Sequence, residues 1–268
     1  MANKIVVEKQ DWSDEKNRFK YAADLEAGNI LFFSEIPFEI SNEERKALTQ
    51  GSFDFQMQES SSKKLDEFLS SLLSPYAGEW KEGEVQEFCR QNSALTIDAC
   101  SSRPLHGGRV LRFFMNTSFS ESQKWMTSLS FQELLLQFGG KEVPFPEPPS
   151  YSMFHRFVRK TRKAASELGI KLSLRSPYDS FMLNLKSFMR TNQDFQKETR
   201  KDFWEFPPLS CWAFFTDQVS YGTLTCSQVL EKSYIIPQRV LLFPEKSPLG
   251  VLERVTRGNM VVLEYAKL

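Results

Sequence analysis

Histidine is scarce in this chain: among 268 residues there are two, His106 and His155. A site needing two imidazole ligands would depend on both. The four cysteines, Cys89, Cys100, Cys211 and Cys226, form no CxxC pair and no metal-ligand pattern. Buried free thiols in a reducing compartment are their ordinary reading. Net charge is missing too, since 34 basic side chains balance 34 acidic ones. No global field therefore draws the chain to nucleic acid or an anionic membrane, and any such attraction has to be local. No window approaches the roughly 18 apolar residues of a membrane span. The N-terminus MANKIVVEKQDWSDEKNRFK is charged throughout and lacks the apolar core of a signal peptide, so a cytoplasmic location is expected. Gly/Ser-rich linkers and internal repeats are absent, which favours a single domain over residues 1–268.

What is present supports a folded core. Hydrophobic residues make up 41% of the chain and charged residues 25%, ordinary values for a globular protein. Phenylalanine is abundant, with 24 copies, and its fit to half-buried pleated surfaces points to a β-rich interior. Helical spacing from Asp14 to Ala27 ends at Gly28, and Asn29–Phe33 (NILFF) follows as a strand. Ser41 with Glu44 forms a capping box for a helix ending near Gly51. Lys63–Leu73 is a third helix, with the serine run Ser60–Ser62 before it as a loop. Ala94–Cys100 and Arg109–Asn116 read as strands joined by the turn-rich SSRPLHGG. Ser130, with Glu133 three residues on, opens a helix that Gly139-Gly140 stops. Longer helices are predicted over Tyr151–Leu168 and Tyr178–Asn192, and strand texture returns beyond Phe203 and in KSYIIP. The tail holds PEKSPLGVLERVTR and a last apolar run, MVVLEY.

Three ordered stretches carry chemistry: LTIDACSSRPLHGGRVLRFFMNTS (Leu95–Ser118), SPYDSFML (Ser176–Leu183) and FPPLSCWAFFTDQVSYGTLTCSQVLEKSYIIP (Phe206–Pro237). Together they resemble the bacterial Kdo hydroxylases, which use Fe(II), 2-oxoglutarate and O2. That family shows a His-x-Asp strand, a Ser-Arg-Pro turn and an R-[IV]-L-R strand, with a second histidine just after a T-D-x-V run. The resemblance implies an α+β fold: a double-stranded β-helix, or jelly roll, surrounded by helices. Its helices over roughly 1–92 would pack on a jelly-roll core over roughly 93–268, with a helical insert over roughly 130–200.

In such enzymes two histidines and one carboxylate hold iron, and open positions take 2-oxoglutarate and O2. The resemblance puts Asp98 at the carboxylate and Thr96 at the first histidine. Ser220 falls at the second, and its neighbour Tyr221 is no substitute. Neutral hydroxyls bind ferrous ion poorly, so the expectation is a degenerate, non-catalytic homologue with no Fe(II) or 2-oxoglutarate cofactor. Taken alone, Asp98 also reads as an ordinary strand-end carboxylate bonded to nearby backbone. A shifted triad of Asp98, His106 and His155 would need both histidines to converge on it. Arg103, Arg109 and Arg112 are candidates to hold a carboxylate through two-pronged donation; solvent-facing residues or structural ion pairs are equally good readings of each.

The basic run Arg156–Arg175, where Glu167 is the only acid, reads as a solvated helix face or a phosphate contact. A Kdo-like sugar, a lipid A-like molecule or another small ligand is the candidate partner, and an interaction role is open. Two other classes remain: an active oxygenase with an atypical metal site, and a metal- or metabolite-responsive regulator on nucleic acid. The last is disfavoured by neutral charge and the lack of a helix-turn-helix signature.

Overall fold

The computed structural model describes residues 2–11, 17–39, 41, 43–44, 55–87, 92–99, 104–146, 175–225 and 227–261. Among the described residues ten strands build two sheets. The larger runs β1 (Lys4–Val6), β2 (Ile30–Phe33), β8 (Cys211–Phe215), β5 (Arg109–Asn116), β10 (Val229–Ile236) and β3 (Lys81–Glu87). The smaller runs β4 (Asn92–Thr96), β9 (Val219–Thr223), β6 (Gln123–Ser130) and β7 (Asp202–Phe206). Every pairing is antiparallel except β1 with β2.

Alternation along the strands explains the layers, because successive side chains point to opposite faces. In the larger sheet Leu31, Phe33, Leu111, Phe113, Ala213 and Phe215 join a cluster with helices α1 (Arg18–Glu26) and α2 (Phe55–Leu72). Their neighbours Ile30, Phe32, Phe114, Trp212 and Phe214 face the other way, into a second cluster with Trp125, Val219 and Tyr221 of the smaller sheet. The outer side of the smaller sheet supplies Leu95, Ile97 and Met126 to a third cluster. There they meet helices α3 (Phe131–Phe138), α4 (Pro177–Thr191), α5 (Gln193–Glu198) and α6 (Pro248–Thr256). The result is two facing sheets with helices on both outer sides, the jelly roll expected from the sequence. It also explains why ILFF, the strand itself, has no polar position: β2 is covered on both faces.

Local rules place several boundaries. Gly28 has φ +86°, a left-handed backbone that ends the turn after α1 and feeds β2. Ser130 and Glu133 form the predicted capping box of α3, and Ser176 with Asp179 forms a second one for α4. Burial works against the ionised Glu133, yet the Ser130 amide and hydroxyl outweigh it and hold the carboxyl below its ordinary 4.5. A depressed carboxyl pKa stabilises the fold above the unfolded value and stops doing so as pH falls through the folded one. Ser130→Ala is therefore expected to cost about 1 kcal/mol at neutral pH. The penalty should shrink in urea melts run below pH 4.5.

Some expectations are corrected. The serine run Ser60–Ser62 lies inside α2, which begins at Phe55. Its hydroxyls find tertiary partners: Ser60 donates to Glu44 and Ser62 accepts from Lys232 at 2.7 Å, which offsets serine's weak helix propensity. β1, β3 and β6 were not foreseen, and the N-terminal part contributes three strands to the larger sheet as well as helices. PLGVLERVT forms α6. Of the helix opened by Ser41, only the capping box is among the described residues. The helix expected over Tyr151–Leu168 and most of the MVVLEY run lie outside them. Between β6 and β7 the described elements are α3, α4 and α5, where the helical insert was expected.

Candidate functional site

Asp98 lies two residues beyond the end of β4, and its backbone amide donates to the Thr216 carbonyl at 2.8 Å. Thr96 pairs in register with Tyr221 across the β4–β9 ladder. Paired residues share a face and i, i+2 residues do too, so Thr96, Asp98 and Tyr221 lie on the inner side of the smaller sheet. Ser220 lies on the opposite side. It is fully buried there, and its hydroxyl donates to the Leu129 carbonyl at 2.8 Å. Geometry thus brings Tyr221, not Ser220, to Asp98.

The Asp98 carboxylate is heavily engaged. Oδ2 accepts from Arg112 Nε at 2.6 Å and from the Thr216 hydroxyl at 2.7 Å. Oδ1 accepts from the Tyr221 hydroxyl at 3.3 Å. Burial and the neighbouring Asp98 push the Tyr221 phenol well above its ordinary value, so it stays a neutral donor. Its ring stacks on Trp125 (centroids 6.0 Å, 13°) and meets Phe214 edge-on at 5.5 Å. These aromatics fill the space between the sheets beside Asp98.

The R-V-L-R strand splits its two arginines, because positions three apart on a strand face opposite ways. Arg112 points inward, and its Nη1 reaches Glu231 Oε2 at 2.6 Å as well as binding Asp98. Arg109 points outward and is 1% exposed. Its Nε meets Asp217 Oδ2 at 2.9 Å, an NH2 group meets the Gln218 side chain, and the guanidinium lies 3.9 Å from the Phe215 ring centroid. Both arginines thus sit in ion pairs, while Arg103 lies outside the described residues.

The SPYDSFML stretch borders the same place. Asp179, which caps α4, also accepts from the amides of Leu105 at 2.8 Å and His106 at 3.2 Å. It thereby ties the turn after the Ser-Arg-Pro motif to the helix. A cavity of about 10 Å³, room for a single water, is lined by Asp98, Leu105, Tyr178, Asp179, Met182 and Asp217. His106 Nδ1 stands 3.4 Å from Asp179 Oδ2. Burial lowers its pKa, with Asp179 opposing. His155 lies outside the described residues, so the shifted triad has one member there. Among the described residues no group of three or more His, Cys, Asp or Glu is placed to share a metal ion.

Sequence reasoning missed Thr216, Asp179 and Glu231 as members of this site. All three lie inside the motifs quoted for the resemblance, which could have flagged them. Among the described residues the donors to Asp98 are a threonine, a phenol and a guanidinium, whereas a two-histidine, one-carboxylate iron site sets imidazoles beside its carboxylate.

Comparison with known proteins gives these features a context. The family model for 3-deoxy-D-manno-oct-2-ulosonic acid (Kdo) hydroxylase matches residues 56–259. No curated protein matches the chain. Among solved structures, it is similar to the Kdo hydroxylase KdoO, a non-heme Fe(II) alphaketoglutarate-dependent dioxygenase, in complex with succinate and Fe(III). The identity is 25% over 97% of this chain and 98% of that one, with a TM-score of 0.78. The same enzyme with alphaketoglutarate and Fe(III) gives 25% identity over 97% of each chain and a TM-score of 0.76. No helix of the described residues is long and apolar enough to cross a membrane. The expectation that no cofactor belongs with this chain is corrected by these matches. Its similar structures are Fe(II)- and alphaketoglutarate-dependent enzymes, so iron and 2-oxoglutarate are the cofactors to expect of its fold. With its model matched over most of the length and its whole fold shared, the chain belongs to the Kdo hydroxylase family.

Proposed function

We propose that this chain is a member of the Kdo hydroxylase family that does not carry out the hydroxylation. One observation carries the reading: the Asp98 carboxylate is bonded to Arg112, Thr216 and Tyr221. The family's first histidine corresponds to Thr96, and the second falls at Ser220 or, by its inward face, at Tyr221. Neither alternative supplies an imidazole. A threonine hydroxyl and a phenol held neutral by burial are weak donors to ferrous ion, and oxygen activation is chemistry that side chains do not perform without a cofactor.

The packing of Tyr221, Trp125 and Phe214 beside Asp98 supports a scaffold or interaction role over the binding of a Kdo-like sugar at this spot. Arg109 and Arg112, offered by the motif as carboxylate anchors, are read here as structural, since each is committed to acidic partners.

The test supplies both cofactors. Purified protein with Fe(II), 2-oxoglutarate and Kdo-lipid A under air is expected to give neither succinate nor hydroxylated product above a heat-inactivated control. Turnover that disappears in Asp98→Ala would overturn the proposal and establish an oxygenase with an atypical site.

A further inference from the structure

We propose that Arg112 is the built-in counter-cation of the barrel's inner end, latching the two sheets together through Asp98 and Glu231. Three elements meet at this guanidinium. Arg112 stands on β5 and Glu231 on the adjacent β10, both in the larger sheet, while Asp98 reaches in from the end of β4 in the smaller one. The two contacts are equal at 2.6 Å, one from Nε and one from Nη1. The side chain of Glu231 is 3% exposed, Asp98's 11% and Arg112's 21%. Two largely buried carboxylates from opposite sheets therefore share one positive charge.

Buried like charges with no cation between them are strongly unfavourable, and removal of one partner of a buried cluster costs far more than removal of all its members. Burial works against the charge on Arg112, but the Asp98 and Glu231 carboxylates more than compensate and hold the guanidinium above its ordinary value. The same geometry explains why Tyr221 matters. Its neutral hydroxyl meets the Asp98 oxygen that Arg112 does not touch, completing the carboxylate's partners without adding charge. The latch acts on folding and is independent of whether the protein turns over substrate.

Urea unfolding of three proteins tests it: wild type, Arg112→Met, and the triple variant Arg112→Met/Asp98→Asn/Glu231→Gln. Arg112→Met is expected to weaken the folding equilibrium by about 100-fold or more. Neutralising both carboxylates as well should bring the triple variant back to within about tenfold of wild type. A single variant within about threefold of wild type, or a triple variant no better than the single, overturns the latch. If Arg112→Met is insoluble, the triple variant is judged directly against wild type. Recovery to within about tenfold then supports the proposal, and failure to fold overturns it.

Discussion

Arg109→Met is expected to cost about 3–5 kcal/mol of folding stability, read as a large fall in the urea midpoint. Arg109 and Asp217 are each 1% exposed and meet at 2.9 Å. Burial pushes the Asp217 carboxyl above its ordinary value even with the guanidinium beside it, so desolvation outweighs the pairing. Such a pair contributes little net stability, yet breaking it strands a charge. Removing Arg109 leaves Asp217 without its cation and the Gln218 side chain without a donor. It also uncovers the Phe215 face on which the guanidinium lies. The double variant Arg109→Met/Asp217→Leu should recover most of the loss, since apolar replacements of similar size are often near neutral. A double variant as unstable as the single would show that the hydrogen bonds, not the stranded charge, dominate.

Trp212→Ala is expected to be as severe, about 3–5 kcal/mol. Trp212 sits at the centre of the inter-sheet cluster and is fully buried. It stacks on Phe206 with centroids 4.1 Å apart and 6° between planes, lies over Phe114 at 5.5 Å, and meets Trp125 edge-on at 5.2 Å. Truncation would remove the filler that β8 presents to β5, β6 and β7 and leave a cavity that these three flanking strands cannot close. Trp212→Phe should cost much less. It keeps an aromatic face and deletes an indole N–H that meets no acceptor among the described residues, a group whose burial is itself unfavourable. Thermal melts of the two variants distinguish the cases. Near-equal losses would mean that the indole ring's full width, not aromatic contact in general, holds the sheets apart.

The parts of this fold written in short-range pattern were legible in advance. Ser130 with Glu133 marked a helix start, Gly28 a helix stop and NILFF a strand. Each of these depends on residues within a few positions, so local chemistry suffices. β3 escaped because KEGEVQE is charged and carries a glycine, against strand propensity; it holds its place by pairing with β10. The serine run in α2 escaped for the opposite reason, since its hydroxyls are satisfied by Glu44 and Lys232 from elsewhere in the chain.

At the candidate site the motif order pointed to Asp98 and Arg112, and both meet there. Ser220, the other position taken from the motif, does not meet Asp98, because in a strand one residue changes the face. Pleating sends Ser220 to the Leu129 carbonyl and Tyr221 to Asp98, and only the β4–β9 register says which is which. Residue order alone was enough for the family, the jelly roll and the scarcity of imidazole, because these rest on composition and on motifs contiguous in the chain. The partners of Asp98 come from β5, β9 and the turn between β8 and β9, and the second acid on Arg112 comes from β10. Sheet pairing alone brings those groups within hydrogen-bonding distance, so the charge balance of the site was decided in three dimensions.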